Sequence, residues 1–476
     1  MKIGILTDFP SIVVQSGPAL HTRFLHDGLT RRGHQVTLIG PDTDEIARVG
    51  EADTFLFKGM SYPSHPHVKV VVPSPLAKLA HPPKLDLIHG QAQNHIIGWA
   101  NWVRRMHRTA VLNTNIIHLP THSHFILSDR MYQSDFIRGM AEDSARKIEL
   151  EFARLYNEGD ALIVQSRFMV DYWRARGVEV PIEVVGRPID PAKFSRPASR
   201  DPWPQHVPTG HRLVCVCRHD REKNIEQLID IFDQLIAPAD PLATLTLIGN
   251  GHAHEEYRAL AQAGHHGDRV LFPGEVPHDQ LIDWYAWADL FLYTSLSETF
   301  GNVVNEALWC GLPVVALDDR MGVAHQVTDG LNGHLITPHR RDTDARFAQA
   351  ALGLLQSRDR RQQMGGNAAT HARATAHPDV VLHRFEGIYG HAIERVHQQI
   401  RTPLSEESTL RQRLALARAT ADWARYNYLL LALGNLSFQL GLGRKPPEMI
   451  PIDSLPASVE RFRRPVQPSL SVDAAE

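Results

Sequence analysis

Cysteine is scarce: this chain of 476 residues has three, Cys215, Cys217 and Cys310. Three thiols cannot build a disulfide framework. The Cys-Val-Cys pair is read as a strand whose two thiols face opposite ways, which disfavours a bridge or a metal clip and favours a reducing compartment. Charge of one sign is lacking too. Lys and Arg number 50 against 53 Asp and Glu, a formal net charge of -3, so no global field points to nucleic acid or an acidic polymer as partner. The opening MKIGILTDFP reaches Asp8 and Pro10 too early for a secretory segment or a membrane span. It is read as a first buried strand, and a cytoplasmic protein is expected. No internal repeat of roughly 20–50 residues stands out beyond an approximate doubling of the whole pattern.

What is present is an ordinary globular composition, 43% hydrophobic and 22% charged. The chain is too long for one core, and two large units, or about three of ~150 residues, are expected. Short apolar runs alternate with helical patterns. KIGIL precedes a helix near 18–32, and QVTLI (35–39), DLIH (86–89) and AVLNT (110–114) follow. A second series has RLVCVC (212–217), a helix from Asn224, TLTLIG (244–249), RVLFPG (269–274), a helix at 278–287 and DLFLYT (289–294). Such alternation marks βαβ units on a parallel sheet. The fold class is therefore α/β, with two doubly wound, Rossmann-like domains in tandem, residues 1–188 and 189–377. The proline-rich, aperiodic stretch 184–204 is the expected joint. Ligands of such sheets sit at the carboxyl ends of strands, so an interdomain cleft is the expected site.

Residues 401–476 differ in character and are read as a helical extension with a tail after Pro446. Thr402-Pro403 reads as an N-cap and first-turn proline, and Leu410, Leu414, Ala417, Ala421, Ala424, Tyr428 and Leu431 follow on one helix face. From Tyr426 to Gly443 no residue is charged, yet Asn427, Asn435, Ser437, Gln439 and three glycines make a poor transmembrane helix. Two readings stand: a helix packed on its own protein or on a second subunit of a homodimer, or peripheral membrane contact aided by Arg411, Arg418, Arg425, Arg444 and Lys445.

Chemistry concentrates in SETFGNVVNEA, residues 297–307, which continues into a helix stop at Gly311-Leu312-Pro313 and a buried strand. Glu298 is placed in the loop after DLFLYTS, Gly301-Asn302 at a helix start, and Glu306 one turn inside. Both carboxylates and the free N–H groups of the first turn then converge on the strand-end cleft. Carboxylates accept hydrogen bonds from sugar hydroxyls, and a helix N-terminus attracts a diphosphate.

With its surroundings, SETFGNVVNEALWCGLPVVA, this pair resembles the E-x7-E motif of retaining glycosyltransferases of the GT-B fold, family 4, near the glycolipid-forming subgroup. CVCRHDREKNIEQLI (215–229) is similar to that family's strand, Arg-x4-Lys and helix. The resemblance covers about residues 1–395 and implies an acceptor domain, a donor domain, and a crossover helix at 378–400 that returns to the first domain. It implies no cofactor and no metal, a UDP- or GDP-hexose donor, and a lipid or saccharide acceptor. Glu298 would bind the sugar hydroxyls and Glu306 the ribose; Arg218 and Lys223 would hold the diphosphate. Phe300, Gly301 and Asn302 would present backbone N–H groups, Gly17 would let backbone approach the phosphate, and Val276, ending RVLFPGEV, would meet the nucleobase. Gly17 stands in Ser16-Gly17-Pro18 where the family often has two adjacent glycines. Ile116 stands where relatives carry a histidine, and His118 is the candidate substitute.

THSH (121–124) lacks a third ligand at metal-binding spacing, and the Asp-Thr-Asp triplets at 42–44 and 342–344 are discounted as chance matches to a motif of another glycosyltransferase fold. Two rival functions remain open: a nucleotide-sugar epimerase of the same architecture, and a non-catalytic sugar-nucleotide-binding assembly protein.

Overall fold

The computed structural model describes residues 1–8, 17–42, 53–62, 65–71, 81–91, 96–116, 147–207 and 209–422. Its first sheet contains β1 (Lys2–Thr7), β2 (Gln35–Pro41), β3 (Asp53–Phe57), β6 (Leu87–Gln91), β7 (Ala110–Asn115), β8 (Ala161–Val164) and β9 (Ile182–Val184). They lie in the order β3-β2-β1-β6-β7-β8-β9, and every pairing is parallel. A separate antiparallel hairpin joins β4 (Gly59–Tyr62) to β5 (His65–Val71).

The apolar runs form strands buried on both faces, as parallel sheets require. Ile3 and Ile5 of β1 enter a core with Leu25 and Leu29 of the helix Gly17–Arg31. Leu6, on the opposite face, joins Trp99 and Trp102 of the helix Ile97–His107. One strand thus ties two layers of helices together.

The second sheet is built from β10 (Arg212–Val216), β11 (Thr244–Ile248), β12 (Val270–Gly274), β13 (Leu290–Tyr293), β14 (Val314–Leu317) and β15 (Gly333–Ile336). Its order is β12-β11-β10-β13-β14-β15, again parallel throughout. The fold is thus α/β with two doubly wound sheets in tandem; the named apolar runs are strands, and β3, β8, β9, β15 and the β4–β5 hairpin are strands that the sequence reading did not place. The helix Asn302–Trp309 ends before Gly311, whose φ of 76° suits glycine, and Pro313 precedes β14.

The helix Pro378–Gln399 carries the chain back to the first sheet. Pro378 occupies its first turn, and the His377 side chain accepts from the Asp379 N–H at 3.3 Å. Val381, Leu382, Phe385, Tyr389, Ala392 and Val396 form its buried stripe in the first-domain core. Tyr389 Oη lies 2.7 Å from His89 Nδ1 on β6, and Arg32 ion-pairs with Glu386 at 2.9 Å and Asp379 at 3.0 Å.

Three readings of the sequence are corrected. Residues two apart on a strand share a face, so Cys215 and Cys217 point the same way and their sulfurs lie 3.9 Å apart as free thiols. Thr402-Pro403 does not start the α-helix of the extension: Pro403 precedes a 3-10 turn, Leu404–Glu406. The α-helix begins at residue 409, with the Arg411 N–H directed at Ser408 Oγ at 3.5 Å. Nor does the expected apolar face dock on the protein. Leu410 and Leu414 are 68% and 62% exposed, while Ala415, Leu416 and Ala419 make the contact with the first domain. Ala424, Arg425, Tyr428, Leu431, Arg444 and Lys445 lie outside the described residues.

Candidate active site

Strand order in the second sheet reverses between β10 and β13. The loops leaving the carboxyl ends of these neighbours run apart and open a crevice. Every second-domain residue singled out around Arg218 and Glu298 sits on these loops or on the helix that follows.

The loop after β10 carries Arg218 and then a 3-10 turn, Arg221–Lys223. Asn224, at φ 56°, ends that turn and starts the helix Ile225–Ile231; its side chain donates to the Thr294 carbonyl at 3.1 Å and so ties the loop to the end of β13. The Gly-x-Gly turn at Gly249 and Gly251 has a packing role here. A Cβ on Gly249 would fall 1.9 Å from the Cys217 carbonyl oxygen, and one on Gly251 2.6 Å from that of His219. These glycines let the loop bearing Arg218 lie flat on the next strand end.

The loop after β13 carries Glu298, which accepts hydrogen bonds from Lys223 Nζ, from Tyr293 Oη at 2.7 Å and from Ser295 Oγ at 3.2 Å. Burial works to raise its pKa, but the Lys223 ammonium and these donors outweigh burial and hold the carboxyl below its ordinary range. Lys223 mirrors it: burial opposes its charge, and Glu298 with Glu222 holds the ammonium above its ordinary value. Arg218 stands at the rim, its side chain 57% exposed, between Asp220 at 2.6 Å and Glu222 at 2.8 Å.

Gly301, at φ 82°, turns the chain into the helix Asn302–Trp309. Gln326 pins this turn by donating to the carbonyls of Phe300 and, at 3.3 Å, Gly301. With those carbonyls held, the N–H groups of Phe300, Gly301 and Asn302 have no acceptor among the described residues. Gly322 supports the turn from behind: its N–H donates to the Glu298 carbonyl at 2.8 Å, and it touches the Phe300 backbone so closely that a Cβ would fall 2.4 Å from Phe300 Cα. Asp319 accepts from the Met321, Val323 and Ala324 N–H groups and so fixes this segment.

Glu306 lies on the fifth residue of the helix, with His278 Nε2 at 2.9 Å from Oε1 and Tyr285 Oη donating at 3.0 Å to Oε2. Each carboxylate oxygen accepts two hydrogen bonds, so one position on each remains for a ligand. Val276 is half-buried beyond the end of β12. Near that strand, His219 and His254 stack at 4.9 Å with their Nδ1 atoms 2.7 Å apart, and Phe272 stands edge-on to both.

A cavity of about 880 Å³ lies between Asn302, Asn305 and Glu306 of the second domain and Leu20, His21 and Phe24 of the first, and Glu298, Lys223 and Arg218 are not among its lining residues. Gly17 opens the helix that supplies Leu20, His21 and Phe24. The structure therefore brings Glu298, Lys223, Arg218 and the Phe300–Asn302 turn together, with Glu306 one helical turn farther into the gap. His118, His122 and His124 lie outside the described residues; Ile116 is buried, 3% exposed. No group of three potential metal ligands occurs among the described residues. The Asp342-Thr343-Asp344 triplet starts the helix Thr343–Leu355, where Asp344 accepts from Gln227.

Sequence reasoning misses Tyr293, Ser295, His278, Tyr285, Gln326 and Arg187. Tyr293 and Ser295 had a signal, being polar groups at the end of a strand leading into Glu298. Gln326 and Arg187 had none, because their partners are distant in sequence.

Two family descriptions match the chain. Glycosyltransferase Family 4 covers residues 16–193 and Glycosyl transferases group 1 covers residues 203–371. Alpha-monoglucosyldiacylglycerol synthase of Streptococcus pneumoniae is 25% identical over 333 residues, 66% of this chain and 71% of that protein. D-inositol 3-phosphate glycosyltransferase 2 of Catenulispora acidiphila is 40% identical over 122 residues, which is 25% of this chain and 26% of that one. In structure, the sucrose-phosphate synthase of Thermosynechococcus elongatus superposes with a TM-score of 0.59 at 20% identity, covering 83% of this chain and all (100%) of the other. The Anabaena protein HepE, solved with UDP-glucose, gives a TM-score of 0.57 at 19% identity, covering 82% of this chain and 100% of its own.

Proposed function

Because this chain belongs to the group 1, family 4 glycosyltransferases of the GT-B fold, we propose that it transfers a hexose from a UDP- or GDP-hexose to a lipid or saccharide acceptor with retention of anomeric configuration. One observation carries the reading: the buried Lys223–Glu298 pair stands at the sheet's switch point, beside a helix turn whose N–H groups lack acceptors among the described residues. Acid, base and backbone donors there match the hydroxyls and diphosphate of a nucleotide-sugar.

In this account Glu298 accepts from the sugar hydroxyls and Glu306 from the ribose. Lys223 and Arg218 exchange carboxylate partners for phosphate oxygens as negative charge grows on the leaving group. The bond from the sugar C1 to the diphosphate oxygen breaks, and the acceptor oxygen bonds to C1 on the same face. The acceptor's proton passes to the departing diphosphate. Closing the interdomain gap keeps water from competing as acceptor. Side chains supply the positive charge, so transfer is read as metal-independent and is expected to survive a chelator.

For the acceptor, we read a lipid at a membrane surface as favoured over a soluble saccharide. Support comes from the exposed Leu410 and Leu414 on a helix that also bears the exposed Arg411 and Arg418, and from the glycolipid named by the Streptococcus relative. No helix among the described residues is long and apolar enough to cross a membrane. The test is incubation with UDP- and GDP-hexoses plus diacylglycerol or its glycosylated form in vesicles, with the product linkage read by NMR. An α-linked product from an α-linked donor supports the reading. A β-linked product refutes retention, and conversion of the donor sugar without an acceptor refutes transfer in favour of epimerisation.

A further inference from the structure

Arg187 lies in the linker between the two sheets, just past β9. Its backbone is held from both sides. The Val185 N–H donates to the Val164 carbonyl of β8 at 2.9 Å, and Asn305, on the helix that carries Glu306, donates to the Arg187 carbonyl at 3.1 Å. Gly186 meets the Phe300 ring, where an added Cβ would fall 3.2 Å from Cε2. Linker and acid-bearing turn are thus in direct contact.

Arg187 lines the cavity with His21, Asn302 and Glu306. Among the described residues its buried Nε has no hydrogen-bond partner and no carboxylate ion-pairs with it. Burial draws its pKa down to about 10 against the opposing charge of Glu298. Across the gap, burial and then the Arg187 charge hold His21 well below the ordinary histidine range. Arg187 therefore lies between the acid-bearing turn and helix of one domain and the helix opened by Gly17 of the other. In this structure Lys223 is paired with Glu298, and Arg218 with Asp220 and Glu222. Arg187 is the cation of this group without such a carboxylate, and a desolvated guanidinium is costly until an anion joins it.

We propose that Arg187 is a third cation of the donor site, a substrate-binding residue supplied by the interdomain linker that grips the diphosphate of the nucleotide-sugar. The proposal rests on the donor-site reading above. It makes donor binding sensitive to the linker, because the residue that meets phosphate is itself part of the segment joining the two domains.

The test is calorimetric titration of UDP, UMP, GDP and GMP into the wild-type chain, Arg187→Gln and Arg187→Lys. Arg187→Gln is expected to weaken the diphosphate of the preferred base about tenfold or more while changing the monophosphate much less. Arg187→Lys is expected to keep part of that preference. Equal losses for mono- and diphosphate would show a role in folding only and overturn the proposal, as would unchanged diphosphate affinity in Arg187→Gln. A wild-type chain that binds neither diphosphate overturns the donor-site reading itself, and Arg187's role with it.

Discussion

Lys223 donates a hydrogen bond to Glu298 across the switch point of the second sheet, so the loop after β10 and the loop after β13 are held together by one buried ion pair. Both side chains are largely buried, at 12% and 15% exposure. Removing one partner strands the other.

Lys223→Met is expected to cost about 3–5 kcal/mol near neutral pH, the usual consequence of an uncompensated buried charge. The pH dependence has a definite sign. In the wild type Glu298 sits below its ordinary value and Lys223 above its own, so the pair's stabilisation is full between the two ordinary ranges, from about pH 5 to about pH 10. It is lost as pH falls through the depressed value of Glu298 or rises through the raised value of Lys223. In Lys223→Met the ammonium that offsets burial is gone and only Tyr293 and Ser295 still favour the carboxylate, so Glu298 is expected to rise and the variant to lose stability relative to the wild type as pH rises through the carboxylate range. Denaturant unfolding of both proteins from pH 4 to 8 checks this; parallel curves would remove the pair from the account.

Gly322→Ala tests the support behind the acid-bearing turn. Its Cβ would fall 2.4–2.5 Å from the backbone of Phe300, which must then move and carry Glu298 and the free N–H groups with it. We expect about 1–3 kcal/mol of destabilisation and a fall in kcat/KM of about a hundredfold. Activity equal to wild type would mean that this turn does not position the donor.

In the proposed site Glu306 accepts from the ribose. Glu306→Ala should weaken nucleoside diphosphate binding about tenfold, whereas the corresponding deoxynucleotides should bind wild type and variant alike. If the variant still prefers ribose, other groups read that sugar.

Leu410 and Leu414 point away from the protein, so Leu410→Glu/Leu414→Glu should alter stability by less than about 0.5 kcal/mol. The same double variant should lose sedimentation with anionic phospholipid vesicles. Undiminished sedimentation would detach this helix face from the membrane reading.

The two sheets are legible in the sequence because strands buried on both faces appear as unbroken apolar runs, and the Pro378–Gln399 helix because its apolar stripe follows a proline at the start. The site is legible where its residues are neighbours: Glu298 through Glu306 lie on one turn and the helix after it. The face used by residues 409–422 is not, since leucine spacing defines a face without saying whether it meets protein. There the smaller Ala415 and Ala419 approach the first-domain core while the leucines stay outside. Arg187 is hidden for another reason. A lone arginine in a proline-rich linker has no period, and its surroundings come from His21, Phe300 and Asn305, far away in the chain.

The central claim is that a nucleotide-sugar binds at Glu298. Thermal unfolding against UDP- and GDP-hexoses tests it most directly, because a ligand at 100 times its Kd adds about 2.7 kcal/mol. The account predicts stabilisation of wild type by at least one such donor, none by the free hexose, and a clear loss in Glu298→Ala. It is contradicted if no nucleotide-sugar stabilises the wild type, or if Glu298→Ala is stabilised as much.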